Sequence, residues 1–249
     1  MKKAVVITGA SSGIGAATAI HFGKQGYFVY LMGRNKDRLA EVAVQCRSGA
    51  SLMSCDLTDL AALNKRIAEI TSTTIHKVEV LVNNAGIFDV HSTEQGSDEL
   101  WQKEFEVNLM SAVRLTRAFF PYFKQHGGGS IVNVSSSLGL KPTAATSAYS
   151  AMKAAMINLT QSNSLEGGAF NIRVNCVAPG IVDTPIHQFH SLEEEKRNAA
   201  IAQMNPMQPL GRIGTAEEIA KAIYFLGSND HSSWTTGAVL AVDGGITNT

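Results

Sequence analysis

A tyrosine and a lysine four positions apart, Tyr149 and Lys153, are the residues whose types and spacing most directly suggest chemistry. On a helix this spacing places both side chains on one face, where an ammonium can act on a phenol. A free tyrosine has a pKa of about 10, which is high for a proton carrier at neutral pH, but a neighbouring cation favours the phenolate. The pair could therefore exchange a proton with an alcohol or carbonyl oxygen.

A glycine-rich segment, Thr-Gly-Ala-Ser-Ser-Gly-Ile-Gly at residues 8–15, follows a short apolar run near the start of the chain and precedes a helical pattern. Glycines allow a tight turn and a close approach of the backbone to a pyrophosphate. The pyrophosphate would then meet the free N–H groups and the positive dipole end of the following helix. Because a strand precedes it and a helix follows it, the segment predicts a nucleotide site rather than a plain turn.

Seven short, mostly apolar runs alternate with helical patterns, and they predict the elements that position these residues. The strands are predicted at residues 4–8, 28–32, 50–54, 78–82, 130–134, 172–177 and 238–242, and the helices at residues 16–25, 36–47, 60–71, 99–125, 148–166 and 216–226. Continuous apolar strands are typical of a parallel sheet covered on both faces. Repeated strand-helix-strand units imply right-handed crossovers, and therefore a single-domain α/β fold with a doubly wound parallel sheet over residues 1–249.

Several motifs resemble those of the short-chain dehydrogenase/reductase family. Residues 8–15 match its TGxxxGxG signature, and residues 149–153 match its YxxxK pair. Residues 83–86 (Asn-Asn-Ala-Gly), 179–184 (Pro-Gly-Ile-Val-Asp-Thr) and 242–245 (Val-Asp-Gly-Gly) resemble further family motifs, so the resemblance covers essentially the whole chain. It implies a Rossmann-type sheet of about seven strands with helices on both faces. It also implies hydride transfer between a nicotinamide cofactor and a secondary alcohol or its ketone.

The resemblance further implies a catalytic tetrad of Asn108, Ser136, Tyr149 and Lys153. Among three consecutive serines, Ser136 has the spacing to Tyr149 that the family uses. In the reducing direction Ser136 would hydrogen-bond the substrate carbonyl, and Tyr149 would supply the proton. Lys153 would hold the nicotinamide ribose and tune Tyr149, while Asn108 would support a water that relays protons from solvent.

The cofactor site implied by these motifs extends along most of the chain. Its residues are Gly9, Ser11, Ser12, Gly13, Ile14, Gly15, Gly33, Arg34, Asp56, Leu57, Asn83, Ala85, Gly86, Tyr149, Lys153, Pro179, Gly180, Ile181 and Thr184. The second strand ends at Gly33 and Arg34, where a carboxylate would be expected to bind the ribose 2′-hydroxyl of NAD. Because a guanidinium can bind a 2′-phosphate, we expect NADP(H). NAD(H) remains open, since some NADP-dependent family members carry a basic residue where this chain has Ser12.

Apolar residues in the lid and in the loops after the fourth and fifth strands are expected to shape the substrate pocket. They are Val90, Leu138, Thr143, Ile181, Ile186, Phe189 and Met207. Residues 184–210 interrupt the strand-helix alternation and are expected to form a lid that carries a short helix. We expect Leu138 and Ile186, with Ser136 and Tyr149, to contact an uncharged, fairly apolar substrate.

Three alternative functions remain open. One is a 3-oxoacyl-[acyl-carrier-protein] reductase, which is disfavoured because residues 125–128 and 165–168 lack the basic side chains that an acidic carrier protein would need. The second is an NAD-dependent secondary-alcohol dehydrogenase in which Arg34 is incidental. The third is a non-catalytic regulator that binds NADP(H), which is disfavoured because both Tyr149 and Lys153 are present.

Composition excludes other partners. The chain has 21 basic and 21 acidic residues and thus no net charge to attract nucleic acid or anionic lipid. No apolar stretch approaches the ~20 residues of a membrane span, and the seven histidines and three cysteines show no metal-ligand spacing. We therefore expect no metal and a cytoplasmic location.

Surface and core are also predicted. The resemblance implies a homotetramer through the helices at 99–125 and 148–166, which would account for a charged fraction of only 17%. Trp101 and Trp234 are predicted to pack in the core.

Overall fold

The computed structural model describes residues 1–187 and 192–249, and its centre is a seven-stranded parallel sheet. The strands are β1 (Lys2–Thr8), β2 (Phe28–Gly33), β3 (Ala50–Ser54), β4 (His76–Asn83), β5 (Gly129–Val134), β6 (Ile172–Pro179) and β7 (Val239–Val242). Their order is β3-β2-β1-β4-β5-β6-β7, with every neighbouring pair parallel. The strand order reverses between β1 and β4, and at such a point a crevice opens at the carboxyl ends. This confirms the predicted Rossmann-type fold.

Helices connect the strands. They are α1 (Gly13–Lys24), α2 (Lys36–Gln45), α3 (Leu60–Thr71), α4 (Asp98–Phe105), α5 (Ser111–Gln125), α6 (Ser147–Gly167), α7 (Glu194–Met204), α8 (Ala216–Gly227) and α9 (Asn229–Ser232). Among these helices, none is long and apolar enough to cross a membrane.

Two apolar layers hold the sheet, one on each face. Successive residues of a strand point to opposite faces, and on β1 Val5 and Ile7 pack in the layer that contains residues of α1, α2 and α8. Ala4 and Val6 pack in the opposite layer, against residues of α3 and α5. All four side chains are fully buried, which explains why this strand appears in the sequence as a continuous apolar run.

The helical segment predicted over residues 99–125 is present, but a π-helical turn at Glu106–Met110, which the sequence did not predict, divides it into α4 and α5. A π turn accommodates an additional residue and is frequent at functional sites. The side chain of Asn108 lies in this turn and bonds to the backbone of Ile87 in both directions. Asn108 Oδ1 accepts the Ile87 N–H at 2.9 Å, and Asn108 Nδ2 donates to the Ile87 carbonyl at 3.0 Å. The turn thereby fixes the helix to the loop after β4.

The prediction that Trp234 packs in the core is also wrong, because its side chain is 100% exposed. It precedes β7, which forms one edge of the sheet, so no further strand covers this segment. Trp101, on α4, is half-buried.

Candidate active site

A cavity of about 1190 Å³ opens at the carboxyl ends of the central strands, where the strand order reverses. Twenty of the residues predicted for the site line it: Gly9, Ser11, Ser12, Gly13, Ile14, Gly33, Arg34, Asp56, Leu57, Ala85, Gly86, Ser136, Leu138, Tyr149, Lys153, Pro179, Gly180, Ile181, Thr184 and Ile186. Three others, Gly15, Asn83 and Asn108, are not part of its wall. The topology therefore brings most of the distant motifs together in one cleft.

The glycine-rich turn leaves the start of α1 open to an anion. Gly9 and Gly13 have positive φ angles of 65° and 52°, which favour glycine. At Gly15 a Cβ atom would lie 2.2 Å from the Gly9 carbonyl oxygen, so no side chain fits there. Ser12 begins α1 without a side-chain cap, and the first turn has no acidic residue. The N–H groups and positive dipole of α1 thus fit the pyrophosphate of a dinucleotide.

The turn after β4 is tied to the glycine-rich turn through Thr8. The backbone N–H groups of Asn84 and Ala85 donate to Thr8 Oγ1 at 2.9 and 3.0 Å, and Asn84 Nδ2 donates to the Thr8 carbonyl at 2.9 Å. Asn83 is buried, and its Nδ2 donates to Asn133 Oδ1 at 2.8 Å. Of the adjacent residues Asn83 and Asn84, only Asn84 lines the cleft, and it was not among the predicted cofactor-binding residues. The side chain of Asn83 lies behind the wall of the cleft.

The ends of β2 and β3 form the part of the cleft predicted to bind the adenosine ribose. Gly33 and the exposed Arg34 line it. Asp56 lies nearby, and its Oδ1 accepts the backbone N–H of Thr58 at 2.9 Å and the Thr58 hydroxyl at 2.7 Å. These bonds, with a smaller contribution from the charge of Arg34, lower the pKa of Asp56. No carboxylate occupies the end of β2 itself.

Helix α6 places Tyr149 and Lys153 in the opposite part of the cleft. Lys153 Nζ donates to the Val134 carbonyl at 2.9 Å and lies 5.5 Å from the centre of the Tyr149 ring. Burial lowers the pKa of Lys153 to about 8. Burial also raises the pKa of Tyr149, and the hydrogen bond with Ser136 opposes this rise. The sequence predicts that Lys153 lowers the pKa of Tyr149. In the protein without a bound cofactor the pKa is instead raised, because the effect of burial is larger.

All three consecutive serines line the cleft, and Ser136 is the one that lowers the pKa of Tyr149, against the effect of burial. Ser136 Oγ also accepts the Leu138 N–H at 3.1 Å. The Oγ atom of Ser135 donates to the Lys153 carbonyl at 2.7 Å. Ser135 is thus engaged with the backbone of α6.

Asn108 lies behind the wall next to an acidic residue that the motifs did not single out. Both Asn108 and Glu104 are fully buried, and Asn108 Nδ2 donates to Glu104 Oε2. A Cβ atom at Gly86 would lie 2.9 Å from Asn108 Oδ1 and 3.5 Å from Lys153 Nζ. Gly86 therefore keeps a narrow space between the two side chains. A signal for Glu104 was available in the sequence, since it stands four residues before Asn108 and hence on the same helix face.

Apolar side chains line the cleft together with Tyr149. The ring of Phe88, which the sequence patterns did not single out, lies 4.8 Å from the Tyr149 ring at an interplanar angle of 65°. The predicted pocket residues Val90, Leu138, Thr143, Ile181, Ile186 and Met207 also line the cleft, whereas Phe189 lies outside the described residues.

The segment predicted as a lid contains a 3₁₀ turn at Pro185–His187 and helix α7. Arg197 of α7 forms an ion pair with Asp183 at 2.6 Å, which connects this helix to the loop after β6. Within residues 1–187 and 192–249, no group of three or more His, Cys, Asp or Glu side chains is placed to hold a metal ion.

Comparison with known proteins gives consistent matches. The family model described as short chain dehydrogenase matches residues 3–195. The 3-oxoacyl-[acyl-carrier-protein] reductase of Thermotoga maritima is 36% identical over 98% of this chain and 97% of its own. Cis-4-hydroxycyclohexanecarboxylate dehydrogenase of Sinomonas cyclohexanicum is 38% identical over 99% and 97%.

Solved structures agree with these relatives. L-sorbose reductase from Gluconobacter frateurii, solved in complex with NADPH and L-sorbose, superposes with a TM-score of 0.92 at 30% identity and covers 100% of this chain and 97% of its own. The family match spans most of the chain, and the relatives are similar over nearly their whole length. The chain is therefore a member of the short-chain dehydrogenase/reductase family of oxidoreductases.

Proposed function

We propose that the protein is an NADP(H)-dependent oxidoreductase that interconverts a ketone and a secondary alcohol on an uncharged, fairly apolar small molecule. The observation that carries this proposal is that the Tyr149 phenol, the Ser136 hydroxyl and the buried Lys153 line one cleft, with Lys153 Nζ 5.5 Å from the centre of the Tyr149 ring. A phenol and a hydroxyl that converge in this way can both act on one carbonyl oxygen.

The cofactor would occupy the glycine-rich end of the cleft. The uncapped start of α1 would hold the pyrophosphate, and Arg34 would pair with the 2′-phosphate. The structural relative solved with NADPH supports this choice, although NAD(H) is the alternative cofactor for the same cleft. When bound, the nicotinamide would supply hydride in reduction or accept it in oxidation.

Side chains of the protein would donate the proton and recover it from solvent. In reduction the hydroxyl groups of Ser136 and Tyr149 donate to the carbonyl oxygen, and the Tyr149 proton passes to that oxygen as negative charge develops. The buried ammonium of Lys153 then stabilises the phenolate. A proton returns from solvent through a water beside Gly86, where Asn108 and Lys153 approach the same narrow space.

A second candidate substrate is a 3-oxoacyl group on acyl carrier protein, which the 36% identity to the Thermotoga maritima reductase favours. The cleft argues against it. Asp98, Glu99 and Glu106 line the cleft together with one basic residue of the same stretch, Lys103, and this acidic excess would repel an acidic carrier protein.

The test is to follow NADPH oxidation by the purified protein with a panel of uncharged ketones and, in parallel, with a 3-oxoacyl carrier protein. We expect turnover of at least one ketone with a higher kcat/KM than that of the carrier-protein substrate. A higher kcat/KM for the carrier protein would establish the second candidate. Tight NADPH binding without any turnover would instead indicate the non-catalytic regulator.

We also propose a homotetramer. The outer side of α6 carries small or apolar exposed residues, among them Ala151, Ala154 and the 84% exposed Leu165. Such a surface is suited to contact with a second copy of the chain. Sedimentation is expected to give four times the mass of the chain, and a stable monomer would contradict the proposal.

A further inference from the structure

Glu104 is a buried acidic side chain to which the proposed mechanism gives no role. It lies on α4 and is 0% exposed. Its Oε1 accepts the backbone N–H of Asp89 at 3.2 Å, and its Oε2 accepts Nδ2 of Asn108. Burial raises the pKa of Glu104, and the Asp89 N–H together with the charge of Lys153 opposes this rise. Both oxygens face N–H donors, which suits a carboxylate because an ionised carboxyl group only accepts hydrogen bonds.

A carboxylate is a costly residue for this position. Burying a charge is unfavourable unless it is paired and hydrogen-bonded, and apolar residues of similar volume often stabilise a fold as well or better. Residues of α4 also face α6 and the loop after β4, so an apolar side chain could fill the site. The charge itself therefore calls for a functional explanation.

The charged groups that act on Glu104 belong to three elements. They are Lys103 on its own helix, Asp89 in the loop after β4, and Lys153 on α6, and Glu104 acts in turn on Tyr149 of α6. Asp89 and Lys103 form an ion pair at 3.1 Å near the surface. The buried cation that Glu104 acts on is thus Lys153, whose own pKa it raises against the effect of burial.

We propose that Glu104 is a positioning residue for this reaction: its carboxylate fixes the orientation of the Asn108 amide and holds Lys153 as an ammonium. The inference rests on the proposed function. The Glu104 carboxylate accepts a hydrogen bond from Asn108. Asn108 and Lys153 in turn border the narrow space beside Gly86 through which the proton would return.

The direction of the pH effect follows from the signs. A negative charge near Lys153 favours its ammonium, and a negative charge near Tyr149 favours its neutral phenol. Reduction needs both of these protonated forms, so Glu104 extends the activity towards higher pH. Removal of the charge lowers both pKa values and moves the alkaline limb of the reduction profile to lower pH.

The experiment compares Glu104→Gln with the wild type and with Glu94→Gln, which removes a carboxylate from the exposed loop before α4. We expect the alkaline limb of kcat for ketone reduction to move down by about one to two pH units in Glu104→Gln, as for charges roughly 6–12 Å apart at an effective dielectric constant near 20. The kcat at neutral pH should fall by about tenfold, with KM for the ketone nearly unchanged. Glu94→Gln should match the wild type in both respects.

Glu104→Leu removes the charge together with both acceptor oxygens. Its Tm is expected to fall, because the Asp89 N–H and Asn108 Nδ2 lose an acceptor, so its kcat is measured at a temperature where the variant is folded and should fall at least as far as that of Glu104→Gln. A Glu104→Gln profile that superimposes on an active wild type's profile would overturn the role of Glu104 and leave the proposed function intact.

A readout independent of turnover distinguishes failure of the proposed function from failure of this inference. The ultraviolet titration of Tyr149, taken as the difference between each protein and its Tyr149→Phe counterpart, should show phenolate forming at lower pH in Glu104→Gln. This result would support the role of Glu104 even if no ketone were reduced. An unchanged titration would overturn it.

Discussion

Replacement of Tyr149 by phenylalanine is expected to reduce kcat for ketone reduction by about 10³-fold, the size of a general-acid contribution. The change removes one hydroxyl group and keeps the ring that packs 4.8 Å from Phe88. Ser136 can still hydrogen-bond the carbonyl, but no proton donor then stands beside Lys153. The Kd for NADPH, measured by fluorescence, should remain close to that of the wild type, since the pyrophosphate and 2′-phosphate contacts lie elsewhere in the cleft.

Tyr30→Phe is the matched control. Tyr30 is also buried, and its hydroxyl bonds to His76 Nδ1 at 3.1 Å, far from the cleft wall. This variant should lose a hydrogen bond worth about 1 kcal/mol of stability and retain full kcat. If Tyr149→Phe kept more than about a tenth of the wild-type kcat, in the range where general acid catalysis is weak, the proton donor would have to be another group.

The parts of the fold that the sequence predicts correctly are those decided by local pattern. Continuous apolar runs identify the strands of a sheet covered on both faces, as on β1, where Val5 and Ile7 pack on one side and Ala4 and Val6 on the other. The glycine-rich turn is similarly local, because Gly9 and Gly13 need positive φ angles whatever surrounds them. Such features depend on residues that are adjacent in the chain.

The features that the sequence did not predict depend on contacts between distant segments. The π turn carries Asn108, which bonds to the backbone of Ile87 in the loop after β4, and no helical periodicity contains that information. The spacing of Glu104 to Asn108 indicates a shared helix face, but the burial of Glu104 depends on the packing of α4 against α6 and the loop after β4. The exposure of Trp234 follows from the place of β7 at the sheet edge, since the order of strands decides which segments are covered.

The second large effect is expected on the preference between NADPH and NADH, when a single negative charge is introduced at Gly33. Gly33 has no positive φ angle, and a Cβ atom there would make ordinary contacts of 3.4 Å with Leu39 and 3.7 Å with Ser11. Gly33→Asp should therefore fold normally and place a carboxylate at the end of β2, beside Arg34. The new charge would repel a 2′-phosphate and accept a hydrogen bond from a 2′-hydroxyl.

The ratio of kcat/KM for NADPH to that for NADH should consequently fall by about 10²-fold or more in Gly33→Asp, because like charges brought together cost several kcal/mol and each 1.4 kcal/mol is a factor of about ten. Gly33→Asn has the same shape without the charge and should change the ratio far less. Arg34→Ser should lower the ratio by weakening NADPH alone, since it removes the bidentate phosphate donor. A wild type that prefers NADH, together with an Arg34→Ser variant of unchanged ratio, would make Arg34 incidental. The end of β2 at Gly33 would then lie next to the 2′-hydroxyl of NAD.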